Sequence, residues 1–366
     1  MTRRDFMYAG GSALLGTMAG CRTKAAAERV DYNRMMWGML IHVGRNFTRT
    51  VNDRLTTDMD TFRRVTEQMA ADGLNMVLID VLEALRYPSH PELGVKGALE
   101  PEQFVAEVER LRRLGLEPLP KLNFSTAHHL WLGPYARKVS TPEYYEVCAD
   151  VIRDTAEVFG TPRYFHIGMD EENYKIITAM KHQLVVIRQG DLWWHDLNFL
   201  AGEVKRCGCR PWIWCDRYWY HHDEFVARAS KGIVMSNYFY DRHTDIATMR
   251  KLMEERGDMI GYSGRVSYDN LEKDGFDQIP TCSNWLSPAY QKNHPGARNL
   301  ENTEWTVCHC KRVIAPERLK GFLTAPWGPC TPDRLDYWKE ASSLLGQARK
   351  KHFVNRATAR TLTLAK

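Results

Sequence analysis

The sequence offers no glycine-rich turn of the kind that cradles a dinucleotide. Its first strongly apolar run ends at Val43 and is followed only by Gly44-Arg45-Asn46-Phe47, so a nucleotide-binding open sheet has no fingerprint to rest on. Charge of one sign is also scarce. The 50 Lys and Arg nearly balance the 45 Asp and Glu, leaving +5 over 366 residues, too thin a charge for a nucleic-acid-binding face. No C-x-x-C pair occurs. Cys207-Gly208-Cys209 and Cys308-His309-Cys310 have C-x-C spacing, which excludes a zinc knuckle or a thioredoxin-like site and leaves buried free thiols as the plain expectation. Beyond residue 20 no apolar run approaches the ~20 residues that a spanning helix needs. What is abundant is core-forming material: 44% hydrophobic residues, with 11 Trp, 16 Tyr and 13 Phe, which rules out intrinsic disorder.

The first twenty residues read as an address rather than as fold. Arg3-Arg4-Asp5-Phe6 precedes a mildly apolar run from Ala9 to Ala19, which resembles a twin-arginine export signal. Met18-Ala19-Gly20-Cys21 resembles a lipobox with Met in place of the usual Leu, and it implies lipidation of Cys21. The expected organisation is a signal over 1–20, a short linker over 21–36, one domain over 37–352 and a basic tail over 353–366. The chain is expected to be exported, as a periplasmic or cell-envelope lipoprotein, with export machinery reading Arg3 and Arg4 and the membrane reached through Cys21.

Eight short apolar runs begin near Trp37, Leu74, Leu116, Pro162, Arg210, Gly232, Asp277 and Leu319, with helical patterns between them. Several helical stretches open on a cap or first-turn residue, as at Thr57, Thr141-Pro142 and Thr331-Pro332. That alternation without a linker predicts an α/β fold, a single-domain (β/α)8 TIM barrel. Parity along each run separates lumen from helix layer. Tyr164, His166, Gly168 and Asp170 fall on the inner face of strand four, opposite Phe165, Ile167 and Met169. His42, Lys121, Asn123, Trp214, Asp216, Ser236 and Tyr238 fall inward on other strands, and Asp80 ends strand two. These polar residues sit at carboxyl ends of strands, where barrel enzymes place their chemistry.

Asp170-Glu171-Glu172 puts three carboxyl groups at one strand end. Their mutual repulsion should raise at least one pKa, giving the protonated and ionised carboxyl pair that glycoside hydrolysis uses. His166-Ile167-Gly168-Met169-Asp170-Glu171 resembles the H-x-G-G-D-E strand of glycoside hydrolase family 20, the β-N-acetylhexosaminidases. The resemblance implies that Asp170 orients the substrate's 2-acetamido group, that Glu171 is the acid and base, and that His166 supports them. Met169 stands where the second Gly is expected, and Glu172 leaves open which glutamate is the acid. Flat aromatic walls and polar forks suit sugar rings. Trp214, Tyr238, Trp285 and Trp327 are the candidate walls, with Arg45, Asp80, Asn123 and Asp216 the candidate hydroxyl ligands. Adjacent His128 and His129 should point apart, which disfavours joint metal ligation.

The expected function is therefore an exported glycoside hydrolase removing terminal sugars from a glycan or oligosaccharide, N-acetylhexosaminides first, with no cofactor and no metal. Besides ordinary retention through a protein nucleophile, with Glu171 paired with Asp216 or Asp80, two further alternatives remain open on sequence. One is a metal-dependent TIM-barrel hydrolase or isomerase using some of His42, Asp80, His128, His166, Glu171 and Asp216, although no H-x-H strand occurs. The other is an inactive glycan-binding lipoprotein.

Overall fold

A computed structural model describes residues 35–47, 51–172, 188–240, 245–256, 259–286 and 288–353. Arg3, Arg4, Cys21 and most of the expected basic tail lie outside the described residues. Eight parallel strands form one sheet: β1 Met36–His42, β2 Met76–Asp80, β3 Glu117–Lys121, β4 Tyr164–His166, β5 Arg210–Trp214, β6 Val234–Ser236, β7 Thr281–Cys282 and β8 Gly321–Thr324. Their spatial order is β6-β5-β4-β3-β2-β1-β8-β7. Parallel bridges from Met235 to Gln278 and from Tyr238 to Thr281 join the two ends. The architecture is the predicted (β/α)8 barrel, nearly closed. β7 is the shortest strand, at two residues.

The predicted strand parity matches the packing. Trp37, Met39, Ile41, Phe165, Ile167 and Met169 join the large apolar layer between sheet and helices. Met36, Leu40, Leu119, Tyr164, Trp212 and Trp214 form a separate cluster inside the barrel. Helices lie over 59–71, 101–113, 142–158, 191–206, 246–256 and 335–353, between or after the strands as the alternation predicts. Helix Met59–Ala71 shows the local logic, because Phe62, Val65 and Met69 recur at helical spacing and are buried.

Its cap is one residue later than predicted. Asp58 accepts from Thr61 N at 2.7 Å, while the Thr57 hydroxyl donates to the carbonyls of His42 and Val43 at 3.1 and 2.9 Å. Thr331-Pro332 opens a 3-10 turn over Pro332–Arg334 rather than the helix itself. Further α-helices among the described residues lie at Asp216–Tyr220, His222–Arg228, Met259–Lys273, Pro288–Asn293 and Asn302–Val313. All eight cysteines from Cys148 to Cys330 are free. No helix among the described residues is long and apolar enough to cross a membrane.

Candidate active site

The chain leaves β4 in a conformation that few side chains tolerate. Gly168 has φ +75°, Met169 +72° and Glu171 +60°. A Cβ at Gly168 would overlap the Asn123 side chain, so that glycine is required by close approach. Each non-glycine residue held there costs on the order of 1–3 kcal/mol and persists only when its surroundings over-determine it. They do so here. Trp214 N donates to Gly168 O at 3.0 Å, Ser125 Oγ donates to Asp170 O, and Glu171 N donates to Asp216 Oδ1 at 3.2 Å. Met169 thus adopts the left-handed backbone that glycine adopts freely, with its side chain buried in the helix layer.

The third carboxylate of the run is a strut. Arg188 is fully buried and pairs with Glu172 and with Asp196 of helix Asp191–Arg206. It also donates to Phe124 O at 2.9 Å, and Thr126 N donates to Glu172 Oε1 at 3.0 Å. Both Glu172 oxygens are therefore occupied by protein donors. Asp170 and Glu171 are the carboxylates that face one another's chemistry.

Between them sits His128. Its Nε2 lies 3.3 Å from Asp170 Oδ2 and 3.1 Å from Glu171 Oε2, and its Nδ1 lies 2.9 Å from Phe47 O. Both ring nitrogens face acceptors only, so both must carry hydrogen. Burial opposes that charge, yet Asp170 and Glu171 outweigh it and hold the imidazole well above its ordinary value. Asp170, 9% exposed, is likewise penalised by burial. It is pulled below the usual carboxylate range by His128, by Lys121 and by the amide that Asn123 donates at 2.9 Å.

This ion pair has a measurable signature. The folded state holds the His128 proton more tightly than the unfolded chain, where a histidine titrates near ~6.5. The stabilisation is therefore complete below that value and is lost as pH rises through the folded-state value. Thermal unfolding from acid to alkaline pH should show the wild-type advantage over His128→Phe shrinking as pH rises. A constant gap would contradict the imidazolium.

The raised carboxyl expected within Asp170-Glu171-Glu172 lies instead at the end of the next strand, at Asp216. Burial, and then repulsion from Asp170 and Glu171, push it well above the ordinary range. Its Oδ1 accepts from Tyr238 OH at 2.8 Å, and its Oδ2 is buried without a partner. His166 is neutral for a related reason, because burial and then Lys121 lower it. Gly168 N donates to His166 Nδ1 at 3.0 Å, so Nε2 carries the hydrogen, and that donor too lacks a partner.

An aromatic wall adjoins these groups. Trp214 lies 5.7 Å from Tyr238 and 5.9 Å from Trp327, and Tyr240 lies 5.3 Å from Tyr238, 6.4 Å from Trp327 and 6.1 Å from Trp285. Trp214 Nε1 is buried and unpartnered, as are Asp80 Oδ1 and Arg45 Nη1. Buried polar atoms without partners are few in folded proteins. These, with Asp216 Oδ2 and His166 Nε2, lie at the carboxyl ends of their strands; others are spread through the rest of the molecule.

Other predicted residues have protein partners. Asn123 spends its amide nitrogen on Asp170 and its oxygen on Ser125 N at 3.0 Å, so it orients the carboxylate. Asp80 Oδ2 is held by Lys121 and His42. Among the described residues no group of three or more His, Cys, Asp or Glu side chains is arranged to hold a metal ion. His129 turns away from its neighbour to Ala136 O. Sequence reading passed over His128 as a partner of the acidic pair, Arg188 as its strut and Tyr240 as the hinge of the wall. A cavity of about 610 Å3 lies beside β4 and β5, lined by Met169, Asp216, Arg217, Tyr220 and His221 among others.

No protein-family model and no curated protein matches the sequence. Solved structures do. The β-hexosaminidase of Streptomyces plicatus, in complex with GlcNAc as product, aligns with a TM-score of 0.57 at 16% identity, covering 86% of this chain and 64% of that one. The barrel resembles those of β-N-acetylhexosaminidases. Dispersin B aligns at 0.55 with 14% identity over 87% of this chain and 99% of its own. The β-N-acetylhexosaminidase of Bacteroides fragilis aligns at 0.56 with 13% identity over 91% and 70%. At these identities the likeness shows a shared fold. The chain spans less than two thirds of the Streptomyces enzyme.

Proposed function

We propose that the protein is a glycoside hydrolase that removes terminal N-acetylhexosamine by substrate assistance. The observation that carries this is the carboxyl set at the end of β4. Asp170 is ionised and fixed by Asn123 and His128, Glu171 is beside it and partly exposed, and an aromatic wall with unsatisfied polar atoms adjoins both. The structural neighbours named above, one of them holding GlcNAc, support the same reading.

In this mechanism Asp170 accepts the acetamido N–H and steadies positive charge as the acetamido oxygen attacks the anomeric carbon, forming a bicyclic oxazolinium. Glu171, ionised beside charged His128 in the free protein, takes up a proton with the bound substrate, gives it to the departing glycosidic oxygen and later takes one from water. His128, charged and bonded to both carboxylates, orients them. Tyr238 and Asp216 line the acetamido side. Export through the Arg3-Arg4 signal, with lipid attachment at Cys21, would place this activity on glycans outside the cytoplasm.

Aryl glycosides with and without the N-acetyl group test the reading. Acetamido sugars should be cleaved, and thiazoline analogues of the bicyclic intermediate should inhibit competitively. Asp170→Asn should cost far more on acetamido than on 2-hydroxy sugars. Equal losses on the two classes would overturn substrate assistance.

A further inference from the structure

The first two strands carry a polar group that the carboxylate chemistry leaves unused. His42 ends β1 and Asp80 ends β2, and the two are register partners. His42 Nδ1 lies 2.9 Å from Asp80 Oδ2, and the same oxygen receives Lys121 Nζ at 2.7 Å. Burial penalises an ionised Asp80, but Lys121 and His42 outweigh it and keep the carboxyl below its usual range. A carboxylate only accepts, so His42 Nδ1 is the ring nitrogen that carries hydrogen. Burial holds the imidazole neutral, its pKa lowered to about 4. Nε2 is therefore a bare acceptor.

The surroundings of that lone pair are those of a sugar site. The half-buried Trp327 ring stacks on His42 at 5.4 Å, and Phe47 packs at 4.5 Å on the same imidazole. Asp80 Oδ1 and Arg45 Nη1 are buried and unpartnered in the same corner. Each buried polar atom left unpaired costs about 1–3 kcal/mol. Hydroxyls that both donate and accept, carried on an apolar C–H face, fit two acceptors and a donor beside an indole.

We propose that His42 is a specificity-determining residue, whose Nε2 accepts a hydrogen bond from one ring hydroxyl of the terminal sugar while Asp80 and Lys121 fix its tautomer. The proposal rests on the hydrolase reading above and adds to it the group that recognises the sugar's hydroxyl pattern. His42→Phe keeps a ring against Trp327 and removes the acceptor, and His42→Gln returns one.

The test is a series of aryl N-acetylhexosaminides, each lacking one ring hydroxyl. Wild type should lose about tenfold in kcat/KM on one member of the series. His42→Phe should lose about the same on the parent sugar, show no further loss on that member, and keep the full losses on the others. His42→Gln should regain part of the discrimination. A uniform drop across the series in His42→Phe would overturn the proposal and leave the hydrolase reading intact. No turnover of any member by wild type would overturn both.

Nitrogen NMR of wild type needs no variant. The His42 Nε2 resonance should move on saturation with N-acetylglucosamine, and an unmoved resonance at saturation would overturn the proposal.

Discussion

Glu171→Gln should lower kcat/KM by about 10²–10⁴-fold on glycosides whose leaving group is another sugar, the span that positioned proton transfer supplies. Gln has nearly the same shape and still offers His128 Nε2 an acceptor oxygen, so the contact at 3.1 Å survives. What is removed is the transferable proton. A sugar alkoxide is a poor leaving group without that proton, whereas a nitrophenolate leaves almost unaided. The same variant should therefore lose about tenfold or less on activated aryl glycosides.

The comparison that decides is Asp216→Asn. Asp216 is the carboxyl that burial and repulsion push well above the ordinary range, and it lies against the Glu171 amide. If Asp216→Asn shows the leaving-group-dependent loss and Glu171→Gln does not, the acid is Asp216. The geometry favours Glu171, because Asp216 Oδ1 is occupied by Tyr238 and by the Glu171 peptide, while Glu171 keeps 34% of its side chain exposed.

The fold was legible because its signals are periodic and local. Alternation along PRYFHIGMDEE assigned Phe165, Ile167 and Met169 to the helix layer and His166 and Asp170 to the lumen, and the packing follows it. Strand parity needs only neighbouring residues. The site was legible only at its strand ends. His128 sits in a loop after β3, with no period to say which way it points, and its three contacts lie 42 to 81 residues away in sequence. Arg188 was invisible for the same reason, sixteen residues beyond its partner Glu172.

The three carboxylates looked equivalent as letters. Position separates them: Asp170 bonds Asn123, Glu171 is partly exposed, and Glu172 is buried on a cation. The raised carboxyl was expected within that run and belongs to Asp216 on the next strand end, since repulsion acts through space and burial differs from residue to residue.

Arg188→Met should reduce the unfolding free energy by about 3–5 kcal/mol, the cost of removing one partner from a buried charge network. Arg188 has no exposed side-chain surface, and its partners Glu172 and Asp196 retain 4% and none. Methionine fills much of the stem volume, so the loss is chiefly of charge. Asp196 keeps Ser140 and Tyr145 as donors, whereas Glu172 keeps only Thr126 N among the described residues.

The uncompensated carboxylate should therefore be Glu172, and Arg188→Met combined with Glu172→Leu should recover part of the stability, because apolar replacement of a whole pair is often neutral. The backbone at Met169 and Glu171 is held left-handed against strain, and with the strut gone it has a cheaper path to relax. Arg188→Met should thus lose activity at temperatures where it remains folded, and the double variant should regain stability without regaining kcat. Urea unfolding alongside kinetics at low temperature measures both. A loss below about 1 kcal/mol would show that Glu172 finds solvent and that the network does not clamp the loop.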